Sequence, residues 1–131
     1  MDKAMPFLLV GVGGFLGANA RYLLARWVGT WLEARFPLAT FAINVSGSFL
    51  LGVIAWIVSQ RLVPNGDQWR LAIGVGFLGA YTTFSTFEYE THALFEDGLW
   101  LTAWANVVLS LFAGLLAVRA GILTAKWWFA A

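Results

Sequence analysis

Two phenylalanines and a run of hydroxyl side chains interrupt an apolar part of the chain, where Gly79 to Phe87 read GAYTTFSTF. Hydroxyl side chains compete with the hydrogen bonds of a helix, so this run predicts a break in a membrane helix. Irregular backbone is tolerated at membrane depth only where protein buries it or where it lines a cavity. Carbonyl groups freed at such a break could coordinate a small cation.

Phe84 and Phe87 stand three positions apart, so their rings point the same way if the backbone around them is helical. The edge of a phenyl ring carries a partial positive charge. Two ring edges can therefore contact an anion at a place where a basic residue would trap it. The alternative is a pair of ordinary core phenylalanines, which the unusual hydroxyl-rich surroundings make a weaker explanation than it is for an isolated pair.

A polar stripe runs along the next most informative segment, where Thr40, Asn44 and Ser48 are spaced by four. Residues at this spacing share one face of a helix. Polar groups inside a membrane tend to face protein or a water-filled cavity. The Asn44 amide can donate two N–H groups to an anion. A hydrogen bond between helices is the alternative role for this side chain.

Asn106, Ser110 and Gly114 form a second stripe at the same spacing. One explanation of this stripe is close helix packing. The alternative is that the stripe forms a polar wall that faces Phe84 and Phe87. Arg21 follows the first uncharged stretch. We expect its side chain either to extend to the membrane interface or to cap a vestibule, where its charge would attract anions.

Several other chemistries are excluded by the composition. The chain has one histidine, no cysteine and no paired carboxylates in a plausible cleft, so we predict no catalytic site and no enzyme. Gly74–Gly79 matches GxGxxG but follows no strand, so helix packing is favoured there, as for Gly13 and Gly17. Glu88 and His92 are too few to hold a metal. A net charge of +1 does not indicate nucleic-acid binding.

The composition of the chain predicts which kind of secondary structure positions these residues. Of the 131 residues, 60% are hydrophobic and 11% are charged, whereas a soluble domain has about 25% charged residues. The sequence therefore predicts a single all-α integral membrane domain over residues 1–131. It contains four apolar stretches, joined at Glu33–Pro37, Arg61–Gln68 and Phe95–Gly98: Met5–Ala20, Phe36–Gln60, Leu71–Phe87 and Gly98–Val118, the last continuing toward Lys126.

Four spans would place both termini on one side of the membrane. That side receives five basic residues and the other receives three, a weak bias for setting orientation. The chain could therefore insert both ways and form an antiparallel dimer. Four helices are too few to enclose a pore and pack around it, and a twofold dimer is the commonest closed assembly.

The sequence resembles the Fluc (CrcB-type) fluoride channels over nearly its whole length. The resemblance rests on the run from Gly76 to Phe87, on the Thr40-x-x-x-Asn44 pattern, and on a glycine-rich first span that ends at Arg21-Tyr22. It implies four transmembrane helices with a break in the third, in an antiparallel, dual-topology homodimer with two pores. It also implies passive, selective fluoride export across the bacterial inner membrane, which lowers cytoplasmic fluoride.

The resemblance also assigns roles to individual residues. Those matched to the fluoride pore are Asn44, Phe84, Phe87, Ser110, Thr40 and Arg21. A structural sodium ion is implied at the dimer interface, held by backbone carbonyls at the positions of Gly79 and Thr82. Glu90 matches an acidic position near the pore end. Two residues depart from the family pattern: Glu88 stands where a small polar residue is expected, and Asn106 stands where a tyrosine or another hydroxyl residue is expected.

Two other functions compete with a channel. A small proton-coupled multidrug exporter is also a four-span dimer, but it needs a membrane-embedded carboxylate in its first span. There is none between Met5 and Ala20. A membrane scaffold without transport would leave the Thr-Phe run and the Asn44 stripe unexplained.

Overall fold

The computed structural model of this chain describes residues 3–31 and 35–130, and for Trp31 it describes the backbone alone. Glu33, in the first predicted connector, lies outside the described residues. Over the described ranges the chain is helical and contains no strand, which confirms the all-α prediction. The elements are α1 (Met5–Trp31), α2 (Leu38–Ser59), α3 (Gly66–Trp69), a π-helical segment (Arg70–Leu78), α4 (Gly79–Tyr81), α5 (Phe84–Glu96) and α6 (Trp100–Phe129).

In the described part of the chain, three helices are long and apolar enough to cross a membrane: α1, α2 and α6. The bounds of α2 agree with the predicted Phe36–Gln60 to within two residues. In contrast, α1 continues well beyond the predicted Met5–Ala20. Arg21 does not end the helix, because arginine is a good helix former whose long stem can pack along apolar surface.

The segment from α3 to α5 begins earlier and ends later than the predicted Leu71–Phe87, and it is not one continuous helix. Thr82 and Thr83 have extended backbone, with φ/ψ of −78°/158° and −151°/117°. The next helix, α5, starts at Phe84 and is capped by the Thr83 hydroxyl, which accepts a hydrogen bond from the Thr86 amide at 3.3 Å. A threonine at the N-cap satisfies one of the amides that a helix start leaves without a helical partner.

Glycines bring α1 into backbone contact with the π-helical segment. A Cβ atom on Gly13 would collide with the Ala72 carbonyl, and one on Gly17 would collide with the Phe77 carbonyl. A Cβ on Gly76 would lie 2.8 Å from the Val10 carbonyl oxygen. The packing role predicted for Gly13, Gly17 and the GxGxxG glycine Gly76 is therefore confirmed.

A similar contact joins α2 to α6, where Gly52 faces the Val118 carbonyl and Gly121 faces the Phe49 carbonyl. The two pairs, α1 with the π-helical segment and α2 with α6, leave a concave surface between them. The extended residues Thr82 and Thr83 lie at this surface, together with residues of α2, the π-helical segment and α6.

Candidate ion pathway

A groove of about 620 Å³ lies between α2, the Thr82–Thr83 break and α6. It brings together four of the six residues predicted for the pore and both residues predicted for the sodium ion: Asn44, Phe84, Phe87 and Ser110, with Gly79 and Thr82. None of the described residues that line it is charged. The groove therefore offers amide, hydroxyl, carbonyl and ring-edge groups without a fixed charge.

Asn44 makes two hydrogen bonds with the extended backbone of Thr83. Its Nδ2 donates to the Thr83 carbonyl oxygen at 3.0 Å, and its Oδ1 accepts from the Thr83 amide at 2.8 Å. The side chain thus satisfies backbone groups that a helix would otherwise pair. The amide carries a second N–H, and Asn44 lines the groove, so the residue both holds the break and presents a donor.

Phe84 and Phe87 lie together on the groove, with ring centroids 5.7 Å apart and ring planes inclined by 36°. The prediction that the two rings point the same way is confirmed. Phe84 is 70% exposed in the single protomer, so its ring is not a core side chain. An exposed ring at the edge of the groove is available for contact with an ion.

The stripe on α6 divides into two environments. Ser110 and Gly114 line the groove, whereas Asn106 is 1% exposed and lies behind it. Asn106 accepts a hydrogen bond from the Ser110 hydroxyl at 3.2 Å and donates to Thr91 Oγ1 at 2.8 Å. For Asn106 the structure thus agrees with the packing interpretation, and for Ser110 with a polar wall.

Thr40 and Arg21 are not brought into the groove. Thr40 lies in the first turn of α2, is buried, and lies close to the Glu90 carboxylate of α5. Arg21 lies inside α1, and its Nη1 donates to the Thr82 carbonyl oxygen at 3.4 Å. This bond places the guanidinium at the break, and the role of Arg21 at the interface or at a vestibule stays a prediction.

The backbone at the break can supply carbonyl ligands to a cation. In a continuing helix the Thr83 amide would donate to the Gly79 carbonyl, but here it donates to Asn44 Oδ1. Gly79 lines the groove, so its carbonyl fits a ligand role. The Thr82 carbonyl already accepts the long bond from Arg21, and its second lone pair is available for a cation.

The site residues predicted from the sequence did not include four residues that contribute to this site. Thr83 carries both the backbone partner of Asn44 and the cap of α5. Thr91 connects α5 to Asn106. Tyr81 and Ser46 share a hydrogen bond of 2.9 Å just beside the break. The spacing of Thr83 and Thr86, a hydroxyl at the cap and another three residues later, is the one signal that could have identified the start of α5.

Helices long and apolar enough to cross a membrane, together with an uncharged groove that carries amide and hydroxyl groups among apolar side chains, define a membrane protein with a candidate ion pathway. The family model for CrcB-like protein, Camphor Resistance (CrcB), matches residues 8–122. The chain belongs to this family.

Curated relatives agree over nearly the whole chain. A protein of Solibacter usitatus is 45% identical over 122 residues, which cover 93% of this chain and 99% of the relative. One of Acidobacterium capsulatum is 48% identical over 118 residues, which cover 90% and 94%. One of Chlorobium chlorochromatii is 44% identical over 128 residues, which cover 97% of each. All three are named fluoride-specific ion channel FluC.

These relatives confirm the resemblance to the fluoride-channel family and do not favour the exporter. Their names describe ion channels, which is compatible with the prediction that the chain is not an enzyme. Together with the three apolar helices, the bacterial relatives indicate a multi-pass protein of the bacterial plasma membrane.

Proposed function

We propose that this chain forms a fluoride-specific ion channel, which lets fluoride leave the cytoplasm passively. The observation that carries the proposal is the groove, where Asn44, Phe84, Phe87 and Ser110 meet without a charged neighbour among the lining residues. The relatives named as fluoride-specific ion channels support the same ion.

The groove chemistry suits a small anion that must both enter and leave. Conduction requires binding that is favourable but weak enough for release. A carboxylate would repel fluoride and a lysine would hold it. Amide N–H and hydroxyl donors, together with two ring edges, replace water around the ion with partial charges only.

The assembly we propose is an antiparallel, dual-topology homodimer. The broken segment from α3 to α5 serves as a fourth transmembrane span in addition to α1, α2 and α6. The weak difference between five and three basic residues permits insertion in both orientations. In one protomer the groove is open, with Phe84 exposed at its edge, so a second copy is needed to close the pathway.

A structural sodium ion at the interface of the two copies is part of the proposal. The carbonyls of Gly79 and Thr82 would hold it, with the same pair from the other copy. The diversion of the Thr83 amide to Asn44 supports this role, because it frees the Gly79 carbonyl. The ion would join the two breaks and would not take part in fluoride movement.

Sodium should therefore stabilise the folded dimer. A ligand that binds only the folded state at about 100 times its dissociation constant adds about 2.7 kcal/mol of stability. We expect the thermal unfolding midpoint in detergent to rise with the sodium concentration at constant ionic strength, balanced with N-methylglucamine. A midpoint that is independent of sodium would contradict the site and leave the channel proposal intact.

Fluoride efflux from proteoliposomes tests the function directly. Purified protein is reconstituted at low density into vesicles loaded with potassium fluoride, and efflux is followed with a fluoride electrode after addition of valinomycin. Rapid fluoride loss, without chloride loss from vesicles loaded with potassium chloride, is the expected result. No fluoride loss from well-folded dimers would reject the proposal.

A further inference from the structure

A continuous chain of hydrogen bonds runs from the groove into the interior between α5 and α6. The Ser110 hydroxyl donates to Asn106 Oδ1 at 3.2 Å, Asn106 Nδ2 donates to Thr91 Oγ1 at 2.8 Å, and Thr91 donates to the Phe87 carbonyl at 2.7 Å. Of these residues, Thr91 and Asn106 are buried, and neither lines the groove.

The direction of every bond in this chain is fixed from the Phe87 carbonyl. A carbonyl oxygen only accepts, so the Thr91 proton is committed to Phe87. Thr91 Oγ1 must then accept, and the Asn106 amide nitrogen has to face it. The Asn106 oxygen is therefore turned toward Ser110, and the Ser110 hydroxyl has to donate to it.

We propose that Thr91 and Asn106 are a positioning pair that fixes the direction of the Ser110 hydroxyl at the groove. The inference rests on the proposed function, because it concerns how Ser110 meets the conducted ion. With the pair intact, the Ser110 hydroxyl donates to Asn106 Oδ1 whenever no ion is bound beside it. To donate to an ion instead, the hydroxyl must first break this one hydrogen bond. The hydroxyl therefore has one resting state and one ion-bound state.

Loss of the Thr91 hydroxyl removes the acceptor that fixes the orientation of the Asn106 amide. The Asn106 amide could then turn over and present its NH₂ group to Ser110. Ser110 would accept that bond, and its proton would point permanently into the groove, where it would hold an anion. Release of fluoride then becomes slower, although no residue that touches the ion has been changed.

The test compares Thr91→Val with Thr91→Ser in the proteoliposome assay at less than one channel per vesicle. The fraction of fluoride released counts working channels, and the time constant of release gives the rate per channel. A purely structural role changes only the fraction released. We expect Thr91→Val to lengthen the time constant about tenfold, the size implied by one altered hydrogen bond to an ion, and Thr91→Ser to restore the wild-type value.

Thr30→Val is a matched control. Thr30 also donates its hydroxyl to a backbone carbonyl, that of Trp27 at 2.6 Å, but it lies at the exposed end of α1. Its time constant should equal that of the wild type. Thr91→Ala, which leaves space instead of a methyl group, gives the same comparison if Thr91→Val does not fold.

A background of Ser110→Ala shows whether the pair acts through Ser110. Adding Thr91→Val to this background should leave the time constant unchanged. The inference is overturned if Thr91→Val conducts at the wild-type rate, or if it slows the Ser110→Ala channel as much as it slows the wild type. A wild-type protein that releases no fluoride would overturn the proposed function as well.

Discussion

At the scale of single residues, Asn44 combines two tasks that the sequence suggested as alternatives. It pairs with the Thr83 backbone at both ends of its amide, and it lines the groove. A polar side chain inside a membrane is expensive to bury without partners. Its two backbone bonds explain how the amide is held in place at the groove, and they leave one of its N–H groups without a partner among those bonds.

Replacing Asn44 with aspartate should therefore stop conduction. Two unit charges about 5 Å apart repel by about 3 kcal/mol at an effective dielectric constant of 20, and about 1.4 kcal/mol is tenfold in rate. We expect fluoride efflux to slow by at least about a hundredfold. Asn44→Ser also removes the Nδ2 donor but adds no charge, so it should retain more activity. An aspartate variant that conducts like the wild type would refute the role of Asn44.

The aromatic edge at Phe84 can be tested with little risk to folding. The ring is 70% exposed in the protomer, so Phe84→Leu removes the ring quadrupole without opening a core cavity. We expect up to about tenfold slower efflux, the effect of losing an aromatic-edge interaction of up to about 1.5 kcal/mol. Phe112→Leu is the matched control, because Phe112 on α6 is 60% exposed and does not line the groove. Equal rates for the two variants would rule out a special role for Phe84.

At the scale of elements, the contact between α1 and the π-helical segment depends on glycine. Gly17→Ala would drive a methyl group into the Phe77 carbonyl, and backbone cannot move aside as a side chain can. We expect a loss of about 1–3 kcal/mol in the free energy of unfolding. Gly11 is on the same helix with open space around it, so Gly11→Ala should gain about 0.5–1 kcal/mol. Thermal unfolding of both variants in detergent measures the difference, and a Gly17→Ala protein as stable as the wild type would contradict this packing.

Sequence length, lack of charge and residue spacing were sufficient to locate the apolar helices, though not the end of α1, and to identify four of the six predicted pore residues that meet at the groove. Length and lack of charge located α2 closely, and the spacing of Phe84 and Phe87 placed their rings together. The π-helical segment could not be predicted, because its wider hydrogen-bond pattern uses the same residues as an α-helix and depends on packing against α1. Thr40 shares a helical spacing with Asn44, yet it contacts Glu90 because the start of α2 lies against α5.

At the scale of the whole molecule, a single copy of the chain exposes surfaces that water alone would not stabilise. Large apolar side chains are exposed along α1 and α6, among them Phe15 and Leu116. Lipid covers such faces in a membrane. The groove differs in part, because five of its mostly apolar lining residues carry amide or hydroxyl groups that lipid chains cannot satisfy. A second copy or water must satisfy these polar groups, and the proposed dimer supplies the second copy.

The orientation of the copies in the membrane can be measured cleanly, because the chain has no cysteine. In the proposed topology the exposed loop residues Pro64, after α2, and Asp97, after α5, lie on opposite sides of the membrane. Pro64→Cys and Asp97→Cys proteins are each treated in intact cells with a membrane-impermeant maleimide, and then again after permeabilisation. Because the five-to-three charge bias is weak, each cysteine should be about half labelled from outside. Adding two lysines beside Pro64 strengthens the bias and should shift labelling at the two sites in opposite directions. Complete labelling at one site and none at the other, before any lysine is added, would mean that the chain inserts in one orientation and would exclude an antiparallel dimer.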